Sequence, residues 1–143
     1  MSNLVKQVKQ IVKATPLAKL VQTSSESKKD LKDVFVGLAS IPSRAESLKA
    51  VVESLLPQVK QMGVYLNNWD EVPAFLKNPK IQIARSQEHG DVRDNGKFFW
   101  VEKTDATFYA TVDDDIAYPK DYIATLVANQ QLLGGTYAVG VHC

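Results

Sequence analysis

Cysteine is nearly missing from this sequence. The 143 residues include one, Cys143, so no internal disulfide can staple the chain, which agrees with a reducing compartment. Long apolar runs are missing too: none approaches the ~20 residues that span a bilayer. Lysines interrupt every apolar group near the N-terminus, unlike the apolar core of a signal peptide, and a cytoplasmic protein is the expectation. Charge of one sign is also lacking. The formal net charge is +1, which gives no general attraction to nucleic acid. Glycine-rich nucleotide fingerprints are absent. Without G-x-G-x-x-G or a Walker loop, dinucleotide and P-loop chemistries are poor readings.

What is present divides at about residue 32. Residues 1–32 carry Lys6, Lys9, Lys13, Lys19, Lys28, Lys29 and Lys32 against Glu26 and Asp30. Apolar residues at Leu4, Val5, Val8, Ile11 and Val12 have helical spacing, and Pro16 ends or kinks that helix near Ala14. A basic amphipathic helix over residues 1–22 suits an anionic membrane surface, such as the inner face of a membrane, or a protein partner. Packing on its own domain is the plainer alternative. Residues 23–29 read as a linker. Residues 33–143 read as one α/β domain.

Strands are expected at Asp33–Ala39, Val64–Asn67 and Lys80–Ala84, through Phe108–Val112, and at Thr136–His142. Helices are expected from Arg44 to about Gln61, around Ala74–Leu76, over Lys97–Thr104 and over Asp121–Leu133. Ser43 and Glu46 form a capping-box pattern at the first, and Gly63 is its stop signal. Strands alternating with helices argue for a mainly parallel sheet flanked by helices. Ligands of such sheets bind beyond the carboxyl ends of the strands.

The stretch that organises the rest is ATFYATVDDDIAYPKDY, residues 106–122. A strand runs into three aspartates. If strand geometry persists, Asp113 and Asp115 share a face and Asp114 takes the other. Two carboxylates at ~4 Å repel by roughly 4 kcal/mol at an effective dielectric of about 20. A divalent cation between the oxygens removes that cost, and Mg²⁺ or Mn²⁺ with a diphosphate suits such hard ligands. A solvated acidic cluster ahead of a helix is the bland alternative.

Other loops follow strands and reach the same edge. Arg44, two residues beyond Pro42, suits phosphate or a base. Asn67 and Asp70 suit a base or ribose, or ordinary turn chemistry. Lys97 opens a segment directly after Gly96, where phosphate finds free N–H groups. Asp94 either buttresses Lys97 or contacts the sugar. His89 and His142 are weak candidates.

Three blocks stand in order: Asp94-Asn95-Gly96-Lys97-Phe98, then Val112 to Tyr122, then Val139-Gly140-Val141-His142. With Ile41-Pro42-Ser43-Arg44 and Tyr65-Leu66-Asn67, they resemble bacterial glycosyltransferases of the GT-A fold, the heparosan-type capsular-polysaccharide N-acetylglucosaminyltransferases among them. The likeness covers roughly residues 34–142. It implies a GT-A-like fold, a UDP-sugar donor, a glycan acceptor and a D-x-D motif. Asp113 would contact ribose or metal. Asp115 would ligate Mn²⁺ or Mg²⁺ bridging the phosphates. Asp114 would join the nucleotide-sugar contacts, Pro42 and Arg44 would line the uridine pocket, and Asp94 and Lys97 would sit near the sugar-diphosphate. The family pattern continues beyond the fifth strand, with Gly where Cys143 stands. The acceptor half and any catalytic base are therefore expected outside these residues, and an open sheet edge would favour self-association. The alternative is a non-catalytic nucleotide-sugar-binding or interaction module of a surface-polysaccharide assembly.

Overall fold

The computed structural model describes residues 33–135 and 137–140. The helix and linker expected in residues 1–32, and His142 and Cys143, lie outside them. β1 (Val34–Ser40) leads through a 3₁₀ turn at Pro42–Arg44 into α1 (Ala45–Leu55). A second 3₁₀ turn, Leu56–Gln58, precedes β2 (Gln61–Leu66). After a 3₁₀ turn at Ala74–Leu76 come β3 (Ile81–Arg85), the four-residue α2 (Ser86–His89) and a 3₁₀ segment, Arg93–Phe98. β4 (Phe108–Thr111) and α3 (Tyr122–Leu132) complete the order. The four strands form one parallel sheet in the order β3-β2-β1-β4. The fold is α/β, as expected.

β1 is an almost unbroken apolar run because both its faces are covered. Val34, Val36 and Leu38 face a core with Leu48, Val51, Val52 and Leu55 of α1 and Ile123 and Val127 of α3. Phe35 faces a second core with Tyr65, Ala84 and Trp100. Among the described residues, none of those in this second core lies on a helix. The segment through Arg93–Phe98 and Trp100 lies directly on the sheet, and glycine makes that approach possible. A β-carbon at Gly37 would overlap the Lys97 carbonyl oxygen and the Tyr109 hydroxyl. One at Gly63 would run into the Trp100 indole, and one at Gly96 into the Tyr65 ring.

Several boundaries differ from expectation for local reasons. The capping box does not form. Pro42 starts a 3₁₀ turn, Arg44 becomes the residue before α1 with no side-chain cap, and Ser47 Oγ donates to the Arg44 carbonyl at 3.0 Å. Pro57 ends the α-helical run at Leu55 and converts the next three residues to 3₁₀. Gly63 is not a helix stop but an interior residue of β2, facing Trp100. The helix expected over Lys97–Thr104 is replaced by 3₁₀ structure ending at Phe98, followed by turns. Of the fifth strand expected at residues 136–142, the described part, Tyr137–Gly140, carries no strand assignment. Among the described residues, no helix is long and apolar enough to cross a membrane.

Candidate functional site

In the order β3-β2-β1-β4, the chain leaves β1 toward β2 on one side, while β4 lies on the other. The strand order thus reverses between β1 and β4, whose following loops lie side by side at the sheet's carboxyl edge and both lead to helices on one face; ligands of open α/β sheets bind beyond that edge, at such a point. Pro42–Arg44 follows β1 there, and Asp113–Asp115 follow β4.

β4 ends at Thr111. Val112 N–H still donates to the Gly37 carbonyl at 3.1 Å, but Asp113 N–H donates instead to the Tyr118 hydroxyl at 2.9 Å. The ladder stops, and Asp114–Asp115 become a turn. The expected pairing of Asp113 with Asp115 on one face is accordingly replaced. Asp113 Oδ1 accepts from Lys97 Nζ at 3.1 Å. Arg44 Nη1 lies 2.7 Å from Asp114 Oδ1 and 3.0 Å from Asp115 Oδ2. Asp114 and Asp115 thus share one basic partner and Asp113 has another.

The burial of these groups differs sharply. The Asp114 side chain is 4% exposed, whereas those of Arg44 and Asp115 are 46% exposed. Asp114 Oδ2 is buried and has no hydrogen-bond partner among the described residues. An unsatisfied buried acceptor costs about 1–3 kcal/mol, more for a charged group. The Arg44 guanidinium is held above its ordinary pKa, first by the hydrogen bond to Asp114 and then by the charges of Asp114 and Asp115. Lys97 is 18% exposed and also pairs with Asp94 Oδ2 at 2.8 Å. Burial works against its charge, but the hydrogen bonds to Asp94 and Asp113 outweigh it and raise its pKa. Asp94 thus buttresses Lys97.

Arg44, Asp94, Lys97 and the three aspartates form two adjoining ion-pair groups at the β1–β4 corner. Asn67 is linked to them through the backbone. It is buried at the end of β2. Its Nδ2 donates to the Arg93 carbonyl at 2.9 Å and its N–H to the Ser40 carbonyl at 2.9 Å. Its Oδ1 is buried and has no partner among the described residues. Pro42 is exposed and opens the turn that carries Arg44. The Asp70 side chain is exposed, while its carbonyl accepts from Arg85 at 2.7 Å, so turn chemistry describes it. His89 tilts against Phe99, with ring centroids 4.8 Å apart.

Two tyrosines escaped the sequence reading of the site. Tyr118 takes the Asp113 N–H, as above. Tyr109 donates its hydroxyl to the Lys97 carbonyl at 2.7 Å, and burial pushes its pKa up to about 12. An aromatic three residues beyond the last aspartate was the available signal for Tyr118. Tyr109 looked like an ordinary strand residue.

Two hollows flank the aspartates. The larger, about 590 Å³, is bounded by β4, α3, Lys97 and Asp113. The smaller, about 300 Å³, lies between α1 and residues 115–118 and reaches Asp115. Ile116 and Tyr118 wall both.

Among the described residues, no three His, Cys, Asp or Glu side chains form a group that could hold a metal ion. The acids are held apart by the basic groups: two by Arg44, one by Lys97. Their donor chemistry nevertheless suits a hard divalent cation. All the candidate donors are carboxylate oxygens, and one of them is buried without a donor.

In comparisons with known proteins, no family model and no curated protein matches the chain.

Proposed function

We propose that this chain binds the donor of a metal-dependent glycosyltransferase of GT-A-like fold, which moves a sugar from a UDP-sugar to a polysaccharide or other glycan acceptor. One observation carries the reading: Arg44, Lys97 and three consecutive aspartates meet at the carboxyl corner between β1 and β4. Strong cations and acids in one crevice suit a diphosphate and its metal at once.

In this reading Arg44 and Lys97 take phosphate oxygens, and Asn67 Oδ1, buried without a donor, accepts from the nucleoside. Pro42 fixes the turn that presents Arg44. Asp113 and Asp115 would hold Mn²⁺ or Mg²⁺, which neutralises charge developing on the departing UDP. Asp94 keeps Lys97 charged and oriented.

A second reading, a nucleotide-sugar-binding or interaction module without catalysis, draws on a different feature. Each of the three aspartates is already engaged by Arg44 or Lys97, so none stands ready as a general base. Calorimetry with UDP, with and without Mn²⁺, tests what both readings share. Manganese-dependent binding supports them, and its absence removes them. Release of UDP from a UDP-sugar on adding a capsule-type oligosaccharide then favours the enzyme, and stoichiometric binding without release favours the module.

A further inference from the structure

We propose that the hollow between β4 and α3 is a docking groove for the chain's own residues 1–22, whose apolar stripe lies against its wall with the lysines outward. Among the described residues that bound the hollow, only Lys97 and Asp113 belong to the nucleotide corner, so its occupancy does not depend on that reading.

This face is built to be covered. β1 is buried along nearly its whole length, whereas every residue of β4 is half-buried. Among the described residues, β4 pairs with β1 on one side and with no strand on the other. Parallel sheets have their faces covered, and an open edge is ordinarily guarded by charge or proline. Phe108–Thr111 carries neither. α3 buries Ile123 and Val127 against the sheet, yet none of its eleven residues is charged, so it lacks the charged outer face of a surface helix. Its Leu126 bounds the hollow, together with Phe98 and Val101, which are 49% and 50% exposed. Large apolar side chains left this open around one hollow mark an interaction surface.

Position, length and charge point to residues 1–22 as the occupant. They join the domain through Asp33, whose carboxylate accepts from the backbone N–H and hydroxyl of Thr107. Thr107 bounds the hollow, so the segment enters at its mouth. The ten residues 23–32 reach up to ~35 Å, ample to lay the segment along β4. Leu4, Val5, Val8, Ile11 and Val12 form one stripe at helical spacing. A helix over residues 4–12 is ~14 Å long, and the four residues of β4 span ~13 Å. Apart from Lys97 and Asp113 the described wall is uncharged, which suits that stripe. Glu102 and Asp105 stand exposed beside it in the chain, where Lys6, Lys9 and Lys13 can meet them, while Lys103 is turned to the Phe99 ring. Tethering gives the segment an effective concentration in the millimolar range, which a second copy in dilute solution lacks.

The test uses the full chain carrying Cys143→Ser and a nitroxide spin label on Lys9→Cys, and reads which backbone amide resonances the label broadens. In dilute, monomeric protein, broadening is expected in β4 and α3 and not in β3, at the opposite edge of the sheet. Broadening spread evenly over the sheet, or none, overturns the proposal, whether or not the chain then adheres to vesicles of anionic lipid. So does broadening that arises only between chains, seen when spin-labelled protein is mixed with isotope-labelled protein lacking the nitroxide, because it gives the hollow to a second copy. A second measurement needs no label. Val8→Asp combined with Ile11→Asp is expected to speed amide hydrogen exchange in β4 by about tenfold and to leave β3 within about twofold. Unchanged exchange in β4 overturns the proposal. Should the doubly substituted chain fail to fold, the spin-label experiment still decides.

Discussion

The two ends of the sheet use the same residue types to opposite effect. At the amino end, Asp33 sits just before β1 and beside the start of β4. Its Oδ1 is 3.2 Å from Lys60 Nζ, and its Oδ2 accepts both the backbone N–H and the hydroxyl of Thr107. Each oxygen has a donor, and the group is partly open to water. At the carboxyl end, among the described residues, three aspartates share two basic partners, and one oxygen is buried with none. The first arrangement is complete in itself and clasps two strands. The second is neutral only in part and has room beside it. A shortage of donors, rather than the presence of acids, separates the candidate site from a structural ion pair.

The sharpest way to break that contrast is to make one change at both ends. Asp115→Asn is expected to weaken Mn²⁺-dependent UDP binding by at least about 10- to 100-fold, the loss that follows even when only an outer-shell partner of a metal ligand is removed. Asp33→Asn is expected to leave it within about twofold, since the two ends share no partner. Calorimetry on both variants checks this, and similar losses from both would erase the distinction.

A smaller effect is expected from Tyr109→Phe, which strips the donor from the Lys97 carbonyl. The expected cost is about 1 kcal/mol of stability, measured by urea unfolding. UDP affinity should fall with it if Lys97 is held in place by that bond. Unchanged affinity would show that Asp94 and Asp113 alone position the lysine.

The smallest effect concerns acid. The Asp33 carboxyl is held below its ordinary pKa of 3.8, chiefly by the Thr107 hydroxyl and then by Lys60. A depressed carboxyl pKa stabilises the fold at pH values above the unfolded pKa, and that stability is lost as pH falls through the folded value. Wild type is therefore expected to be slightly more stable than Asp33→Asn at neutral pH, the difference closing below about pH 4. A difference that persists at lower pH would show that charge at this clasp is not what stabilises it.

The contrast also shows why the sequence was readable only in part. The parallel sheet was legible because VFVGLA, KIQIA and the segment before the aspartates are short apolar or β-favouring runs between helical spacings. α3 was legible from its length and the Gly134-Gly135 stop. Lys97–Thr104 reads as a helix in the sequence but is 3₁₀ structure and turns, because its true support is not local. Gly37 and Gly63 lie far away in sequence, and they let it rest on the sheet. At the site, the residue types were visible but their partnering was not. Alternation set Asp114 apart from Asp113 and Asp115, yet could not show that the Asp113 N–H would turn to the Tyr118 hydroxyl and that Asp115 would share Arg44 with Asp114. Nor could a linear pattern reveal that Arg44, seventy positions before Asp114 in the chain, would stand between two carboxylates.

The most direct measurement is a structure determined with UDP and Mn²⁺ present. The account predicts manganese on Asp113 and Asp115 at the β1–β4 corner, with the diphosphate beside Lys97 and Arg44. Nucleotide bound elsewhere, or an acidic corner still bridged by Arg44 with no metal in it, would contradict the account at its centre.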